Sequence, residues 1–373
     1  MNEDKITSSH PEKNFSAGEH PKSEPFGANP TDKETVLAVQ NLSVCIGEKD
    51  GARRKITDGI SYEVREGEIL GIVGESGCGK TTVNLAVMDL LPRDLRIYEG
   101  SIYFQKEDLT RLDPKRRREI SGRDISMIYQ EPLTSLNPLQ RIGRQIEEPL
   151  LLHCPKMSAK ERRQRALKAL EEMGFQDAEE LYRAYPHQLS GGMRQRVCIA
   201  MATICRPKLL IADEPTTALD VTVQAKVLRL LKHISRRNRM SVIFISHDLA
   251  VIGQLCDRVL VMYAGKIMEE GPVESILQHP AHEYTKGLMR SIPKLEDKGK
   301  RLHAIGGRVP AAGTEQPPCP FAGRCSLRQE ICLQESAPEK NLGNGHVVYC
   351  HACSGAKPDV SEERAHAACG SKT

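Results

Sequence analysis

Apolar and polar residues alternate over Val36–Ile46 and again over Gly59–Val64, the period of two that turns one face of a strand toward a core. Ile69–Val73 is apolar throughout and reads as a buried strand, and Leu209–Ala212 and Val242–Ile245 are further strands. Ser101–Phe104 and Ile125–Tyr129 complete the strand pattern. From about Arg141 to Ile204 the period lengthens to that of helices. Ser158-Ala159-Lys160-Glu161 has the form of a capping box, and Ala166, Leu167, Leu170 and Met173 follow at helical spacing. Another helix is expected from about Val221 to Ser235. The fold class is α/β, with an antiparallel β part at the start and an inserted helical subdomain over about 141–205. Residues 1–34 are polar, lack periodicity and read as a disordered extension. A Pro/Gly-rich break at Arg308–Pro320 opens a separate C-terminal module within 291–355, and 356–373 reads as a flexible tail. The basic runs Arg162, Arg163, Arg165 and Lys115–Arg118 read as solvated faces.

Directly after the strand Ile69–Val73 stands Gly74-Glu75-Ser76-Gly77-Cys78-Gly79-Lys80-Thr81, followed by Thr82. The spacing G-x-x-x-x-G-K-[ST] lets backbone N–H groups close around phosphate oxygens. Lys80 brings a point charge to the β- and γ-phosphates and the Thr81 hydroxyl can bind Mg²⁺. A helix starting near Gly79 adds the positive end of its dipole. The chain therefore contains a P-loop core for a nucleoside triphosphate. Asp213 ends an apolar strand, where a carboxylate is costly unless it faces a cation, so its expected partner is the Mg²⁺. Glu214 beside it is placed to polarise an attacking water.

Leu189-Ser190-Gly191-Gly192-Met193-Arg194-Gln195-Arg196 is followed by a helical stretch and by Lys208-Leu209-Leu210-Ile211-Ala212-Asp213-Glu214-Pro215. Here the sequence resembles the ATP-binding cassette family of ATPases, over about residues 35–290. The resemblance implies ATP and Mg²⁺ as ligands. By matching motifs, Gln130 resembles the glutamine that touches Mg²⁺ and the attacking water. His247, in Ile-Ser-His-Asp, resembles the histidine that holds the γ-phosphate. Asp220 resembles the loop that crosses a dimer interface. Ser190, Gly191 and Gly192 would cap the nucleotide held by an opposing cassette, so hydrolysis would need two. Many cassettes stack adenine on an aromatic residue upstream of the P-loop; around Ser43-Val44-Cys45-Ile46 this chain has none, leaving Ile46 or the stem of Arg54.

Glu131-Pro132-Leu133-Thr134-Ser135-Leu136-Asn137-Pro138 and His279-Pro280-Ala281-His282-Glu283-Tyr284 resemble the oligopeptide/dipeptide importer subfamily, its D-type ATPase subunit. That implies peptide uptake powered through two membrane permease subunits, a second and paralogous cassette, and an extracytoplasmic solute-binding protein. Importers of nickel or other small solutes share these segments and remain the alternative. A cassette acting on ribosomes or DNA would usually carry two cassettes or a long coiled-coil insertion, and this chain has neither.

Bulk numbers narrow the partners further. Net charge is +4 from 53 basic and 49 acidic residues, aromatic content is 4% and there is no Trp, so nothing points to nucleic acid. No run of 18 apolar residues occurs and the N-terminus is too polar for a signal peptide, so the chain is expected to be intracellular and to serve a membrane, if it does, from the surface; the importer resemblance implies a peripheral place at the cytoplasmic face. Twelve cysteines without a secretion signal suggest reduced thiols or a metal. Cys319, Cys325, Cys332 and Cys350 lie at C-x₅-C-x₆-C-x₁₇-C, which is no usual zinc-finger spacing. The subfamily's C-terminal extension carries this pattern, and some members resemble [4Fe–4S] binders. An iron–sulfur cluster is expected, with zinc or free thiols as alternatives, Cys353 as a substitute ligand, and the P-loop distant from all of them.

Overall fold

The computed structural model describes residues 34–49, 52–131, 135–217, 219–292 and 305–353. The expected N-terminal extension up to residue 33, the tail from 354, and Pro132, Leu133, Thr134, Ala218 and Cys369 lie outside the described residues.

Two sheets organise the described chain. The first is antiparallel, in the order β2-β1-β4-β5, from β1 (Thr35–Lys49), β2 (Ala52–Arg65), β4 (Leu95–Phe104) and β5 (Glu107–Asp108). The second holds β3 (Ile69–Val73), β6 (Ile125–Ile128), β7 (Leu209–Asp213), β8 (Ser241–Ser246), β9 (Arg258–Tyr263), β10 (Lys266–Pro272), β11 (Glu339–Gly343) and β12 (His346–Tyr349), in the order β11-β12-β10-β9-β3-β8-β7-β6. Its segment β9-β3-β8-β7-β6 is parallel.

The uninterrupted apolar runs have their reason in this arrangement. Ile69, Val73, Leu210, Ala212, Val242 and Phe244 face one hydrophobic cluster, shared with the helices, while Leu70, Ile72, Leu209, Ile211, Ile243 and Ile245 face a second, shared with the antiparallel sheet. Alternate residues of one strand thus enter two cores, so neither face can be polar. The strand ends, where polar residues begin, converge on one edge of the sheet, the place where open parallel sheets bind ligands.

The helices are α1 (Lys80–Met88), α2 (Pro114–Ile120), α3 (Ile142–His153), α4 (Ala159–Glu172), α5 (Ala178–Arg183), α6 (Gly191–Thr203), α7 (Val221–Asn238), α8 (Leu249–Leu255), α9 (Val273–Gln278) and α10 (Glu283–Ser291). The capping box before α4 forms in both directions: the Glu161 backbone N–H donates to Ser158 Oγ (3.3 Å) and the Ser158 backbone N–H to Glu161 Oε2 (2.8 Å). Gln145 of α3, only 3% exposed, ties the insertion to the segment after Gln130, exchanging bonds with the Asn137 N–H and carbonyl (2.8 and 3.0 Å) and donating to the Gln140 carbonyl (2.8 Å).

The basic runs are not uniformly solvated. Arg117 is buried on α2 and donates to the Val87 carbonyl, and Arg116 pairs with Glu107 and Glu119. Arg162 packs against Met157 and Glu147, and Arg163 binds Glu179 and lies over the Tyr182 ring. A single charged residue in seven on an amphipathic helix can point inward, and the run of like residues hides which one does.

The C-terminal segment, for which a separate module was expected, is built onto the cassette. β12 pairs with β10 at Glu269↔Val348 and Glu270↔Val347 and extends the same sheet. Phe321 makes an edge contact with Tyr263 (centroids 5.2 Å apart) and tilts against Tyr284 (5.4 Å). The hairpin turns at Asn344 and Gly345, both in the left-handed region (φ 51° and 75°) as a two-residue turn of the primed kind requires.

Candidate nucleotide site

The turn between β3 and α1 can close tightly because its glycines have no side chain to place. A β-carbon on Gly74 would stand 2.1 Å from the Met262 carbonyl oxygen; one on Gly79, at φ +98°, would be 2.9 Å from Thr57 Cγ2. Lys80 is 5% exposed and folds back over the turn, donating to the carbonyls of Gly74 (2.7 Å) and Glu75 (3.1 Å) and standing 3.7 Å from Cys78 Sγ. Ser76 and Gly77 are exposed at the rim, Thr81 is exposed and Thr82 half-buried at the start of α1. The result is a concave nest of N–H groups with one ammonium inside it, a shape for polyphosphate.

Asp213, at the end of β7, is 3% exposed, and its Oδ1 has no hydrogen-bond partner. Burial pushes its carboxyl above the usual range, with Glu214 adding to the rise and Thr81 and Lys80 opposing it. A buried acceptor left over beside a threonine hydroxyl and a lysine fits a divalent cation held by Thr81 and Asp213.

Glu214, Gln130 and His247 come together from three strand ends. Glu214 Oε2 accepts from Gln130 Nε2 (3.1 Å) and from Thr217 Oγ1 (3.0 Å), and lies 3.2 Å from His247 Nδ1. The Glu214 backbone is in the left-handed region (φ 44°), with its N–H bonded to the Ile245 carbonyl (3.1 Å). That bond fixes the carboxylate outside the sheet, facing the solvent edge. Thr217 carries no signal in the sequence that would assign it to this cluster; only the turn after β7 brings it there.

The signature residues stand at another helix start. Ser190 caps α6, accepting from the Met193 N–H (3.3 Å), and a β-carbon on Gly192 would stand 2.5 Å from Val223 Cγ1 of α7. Asp220 caps α7 by accepting from the Val223 N–H (2.9 Å). Among the described residues no hydrogen bond joins Ser190, Gly191 or Gly192 to the Gly74–Thr81 loop. Ser190 and Gly191 are exposed at the start of α6. Of the two candidates for packing on a base, Ile46 is half-buried and Arg54 exposed at the β1–β2 end of the site.

The cysteines give a mixed result. Cys319 and Cys332 are joined by a backbone bond (3.1 Å), and burial raises the Cys319 thiol to about 11, with Cys332, Cys350 and Cys325 near enough to add to the rise. Cys350 is lowered to about 6, chiefly by a hydrogen bond from Cys353, whose own value is raised by the same bond. Yet among the described residues no group of three or more His, Cys, Asp or Glu side chains is arranged to hold a metal ion. As placed, the four thiols do not form the expected cluster site: Cys350 is turned toward Cys353, and Cys353 donates to the Ala281 carbonyl (2.9 Å). Nor is the P-loop distant from them, because Arg324, the neighbour of Cys325, bonds Glu75.

A glycine-lined turn between a parallel strand and a helix with one buried lysine in it, and a buried unpartnered carboxylate beside a glutamate that gathers three side chains at neighbouring strand ends, have the form of a cassette ATPase. The chain belongs to the ATP-binding cassette transporter family. Residues 57–217 match the family described as ABC transporter, and residues 268–332 match that described as oligopeptide/dipeptide transporter, C-terminal region. It is similar to the dipeptide transport ATP-binding protein DppD of Bacillus subtilis, at 47% identity over 85% of this chain and 94% of the relative. DppD of Escherichia coli is 42% identical over 85% of this chain and 96% of its own. Among solved structures, the post-hydrolysis dimer of the cassette MJ0796 bound to ADP and Pi superposes with a TM-score of 0.57 at 28% identity, covering 64% of this chain and 98% of that one.

Proposed function

We propose that this chain hydrolyses ATP to power import of di- or oligopeptides across a membrane, as one of two cassettes bound beneath permease subunits that a solute-binding protein supplies. The observation that carries the ATPase reading is the convergence of Gln130, Thr217 and His247 on Glu214 Oε2 beside the unpartnered Asp213 Oδ1. Peptide is favoured as cargo by the 42–47% identity to dipeptide transport proteins along nearly their whole length and by the matching C-terminal region. A nickel or other small-solute importer is the second reading, since the cargo is chosen outside this subunit.

In this reading the Gly74–Thr81 amides and Lys80 bind the phosphates, and Thr81 and Asp213 would hold Mg²⁺, which would supply charge neutralisation on the triphosphate. Gln130, which donates to Glu214 Oε2, would orient the water and could add a ligand to the cation. Glu214 takes a proton from the attacking water, its carboxylate held still by its three partners. His247 steadies the γ-phosphate. Ser190, Gly191 and Gly192 complete the site of the opposing cassette, so ATP joins the two and hydrolysis parts them. The dimeric structure of MJ0796 bound to ADP and Pi supports the pairing of two cassettes, with the pair still together while both products are in place.

Docking on the membrane subunits falls to the insertion between Gln130 and Ser190. Leu139, Leu152 and Leu151 are exposed there (86%, 71% and 47%), Tyr129 is exposed just before it (44%), and Gln145 fastens this surface to the chain that leaves Gln130. Among the described residues no helix is long and apolar enough to cross a membrane, so such a surface is how the chain would reach one. Cysteines placed near Ser135 should cross-link to the permeases; cross-links from the C-terminal segment alone would refute this placement. For the four cysteines the [4Fe–4S] reading rests on the subfamily resemblance of their spacing and not on their placement here. Protein purified without oxygen should be brown with about four irons per chain, and stoichiometric zinc without iron would refute it.

A further inference from the structure

We propose that the C-terminal segment is a working part of the nucleotide site, with Arg324 as a positioning residue that holds the phosphate-binding loop through Glu75. The inference rests on the ATP reading above and concerns a contact made by residues 249 positions apart in the chain.

Arg324 is 6% exposed at its side chain, and its donors are all directed. Nη1 donates to Glu75 Oε2 (2.6 Å) and to the Tyr263 hydroxyl (3.2 Å). Nη2 donates to Glu75 Oε1 (3.1 Å) and the Ile305 carbonyl (3.1 Å), and Nε to the Gly306 carbonyl (2.8 Å). The guanidinium lies 5.6 Å from the Tyr263 ring centre and 5.9 Å from that of Phe321. The pairing with Glu75 is a two-pronged fork, the geometry that fixes direction as well as distance.

Glu75 is the second residue of the loop and is held at each of its other polar groups as well. Its N–H donates to the Tyr284 hydroxyl (2.8 Å), and its carbonyl accepts from Lys80 Nζ (3.1 Å) and the Cys78 N–H (3.3 Å). Arg324 therefore acts on the residue whose carbonyl steers the phosphate-binding lysine. It also neutralises a carboxylate on the loop that this reading gives to the triphosphate, where a bare negative charge would oppose binding. A largely buried ion pair is an inefficient way to glue two segments, because desolvation offsets the attraction. Fixing loop geometry and local charge is what such a pair does that an apolar contact cannot. The same C-terminal segment reaches the other end of the site: a β-carbon on Gly313 would stand 3.1 Å from Arg54 Cβ and from Ile46 Cδ1.

Equilibrium titration of the full chain with MgATP, together with hydrolysis at saturating nucleotide in the assembled cassette pair, tests this. Arg324→Ala should weaken MgATP binding about tenfold or more, the scale for losing a hydrogen-bonded charge partner, while the saturated hydrolysis rate changes less than about threefold by the same argument that no reacting atom is touched. Arg324→Lys, which keeps the charge without the fork, should fall between. Adding Glu75→Gln to Arg324→Ala should recover part of the affinity, since the unpaired carboxylate is gone. Should Arg324→Ala prove too unstable to purify, Arg324→Lys and Glu75→Gln carry the same comparison. A lowered unfolding midpoint with unchanged MgATP affinity would make the contact a structural bolt only and overturn the proposal. Failure of the unaltered chain to bind MgATP would instead remove the ATP reading beneath it.

Discussion

Replacing Glu214 by Gln separates binding from chemistry, and the structure sets how cleanly. Three donors meet at the single oxygen Oε2, from Gln130, Thr217 and His247 at 3.0–3.2 Å, with the histidine tautomer that places its proton on Nδ1. The amide of Gln keeps one oxygen for those donors and exchanges the other for NH₂, so the local geometry survives while the negative charge and the proton acceptor are lost. The left-handed backbone at φ 44° is unaffected by so close a replacement. Loss of a general base costs roughly 10²–10⁴-fold in rate, or about 3–5 kcal/mol of transition-state stabilisation. None of the groups that grip phosphate is altered, so MgATP affinity should change little. Phosphate release under multiple turnover and retention of unhydrolysed ATP in a cassette dimer are the two readouts. Turnover within about tenfold of the unaltered protein would fall outside that range and refute the assignment, leaving His247 as the next residue to test.

Replacing Gly191 by a larger residue should abolish hydrolysis at the opposing loop while this chain still binds MgATP at Lys80; weak binding by the isolated variant would mean the site is completed within one chain. Acid should destabilise the join between the cassette and its C-terminal segment. His282 is held neutral, its value lowered by burial to about 4, and its Nδ1 accepts from the Tyr284 N–H (3.0 Å). The unfolded chain therefore binds the extra proton first as pH falls below its ordinary value of 6.5, and stability drops by roughly 2 kcal/mol between pH 7 and pH 5. The Glu269 carboxyl works in the same direction at lower pH. Burial pushes it up, but bonds from His346 and from the Ala281 and His282 N–H groups win and hold it low, so its stabilisation is lost only as pH falls through that lowered value. Denaturant midpoints from pH 7 down to below pH 4 check both, and a midpoint that does not move between pH 7 and pH 5 would refute the role of His282.

The sequence alone determined the parts whose chemistry is local. A glycine-spaced turn between a strand and a helix must present amides and Lys80 to an anion, wherever the rest of the chain goes. A carboxylate closing an apolar strand must meet a cation or be paired, and Asp213 does end β7 buried with an unpartnered oxygen. The capping box at Ser158 specifies its helix from four residues, and the two-sided burial of Ile69–Val73 is written in five. Asn344-Gly345 is an equally local hairpin signal, but the strands it joins are five and four residues long with weak alternation, and the cysteines beside them drew the reading toward a metal.

What only the tertiary structure decided are the meetings between distant segments. Thr217 joins Glu214 because the chain turns back after β7, and Arg117 is buried while Arg116 is not because α2 lies against Val87. A C-terminal segment that looks separate by its prolines and glycines becomes the edge of the central sheet, since β10 has open hydrogen-bonding groups that β12 satisfies. That pairing carries Arg324 to Glu75. Composition and periodicity report which residues want a partner; which partner they find depends on the path of the chain between them, and for residues 249 apart no local pattern records it.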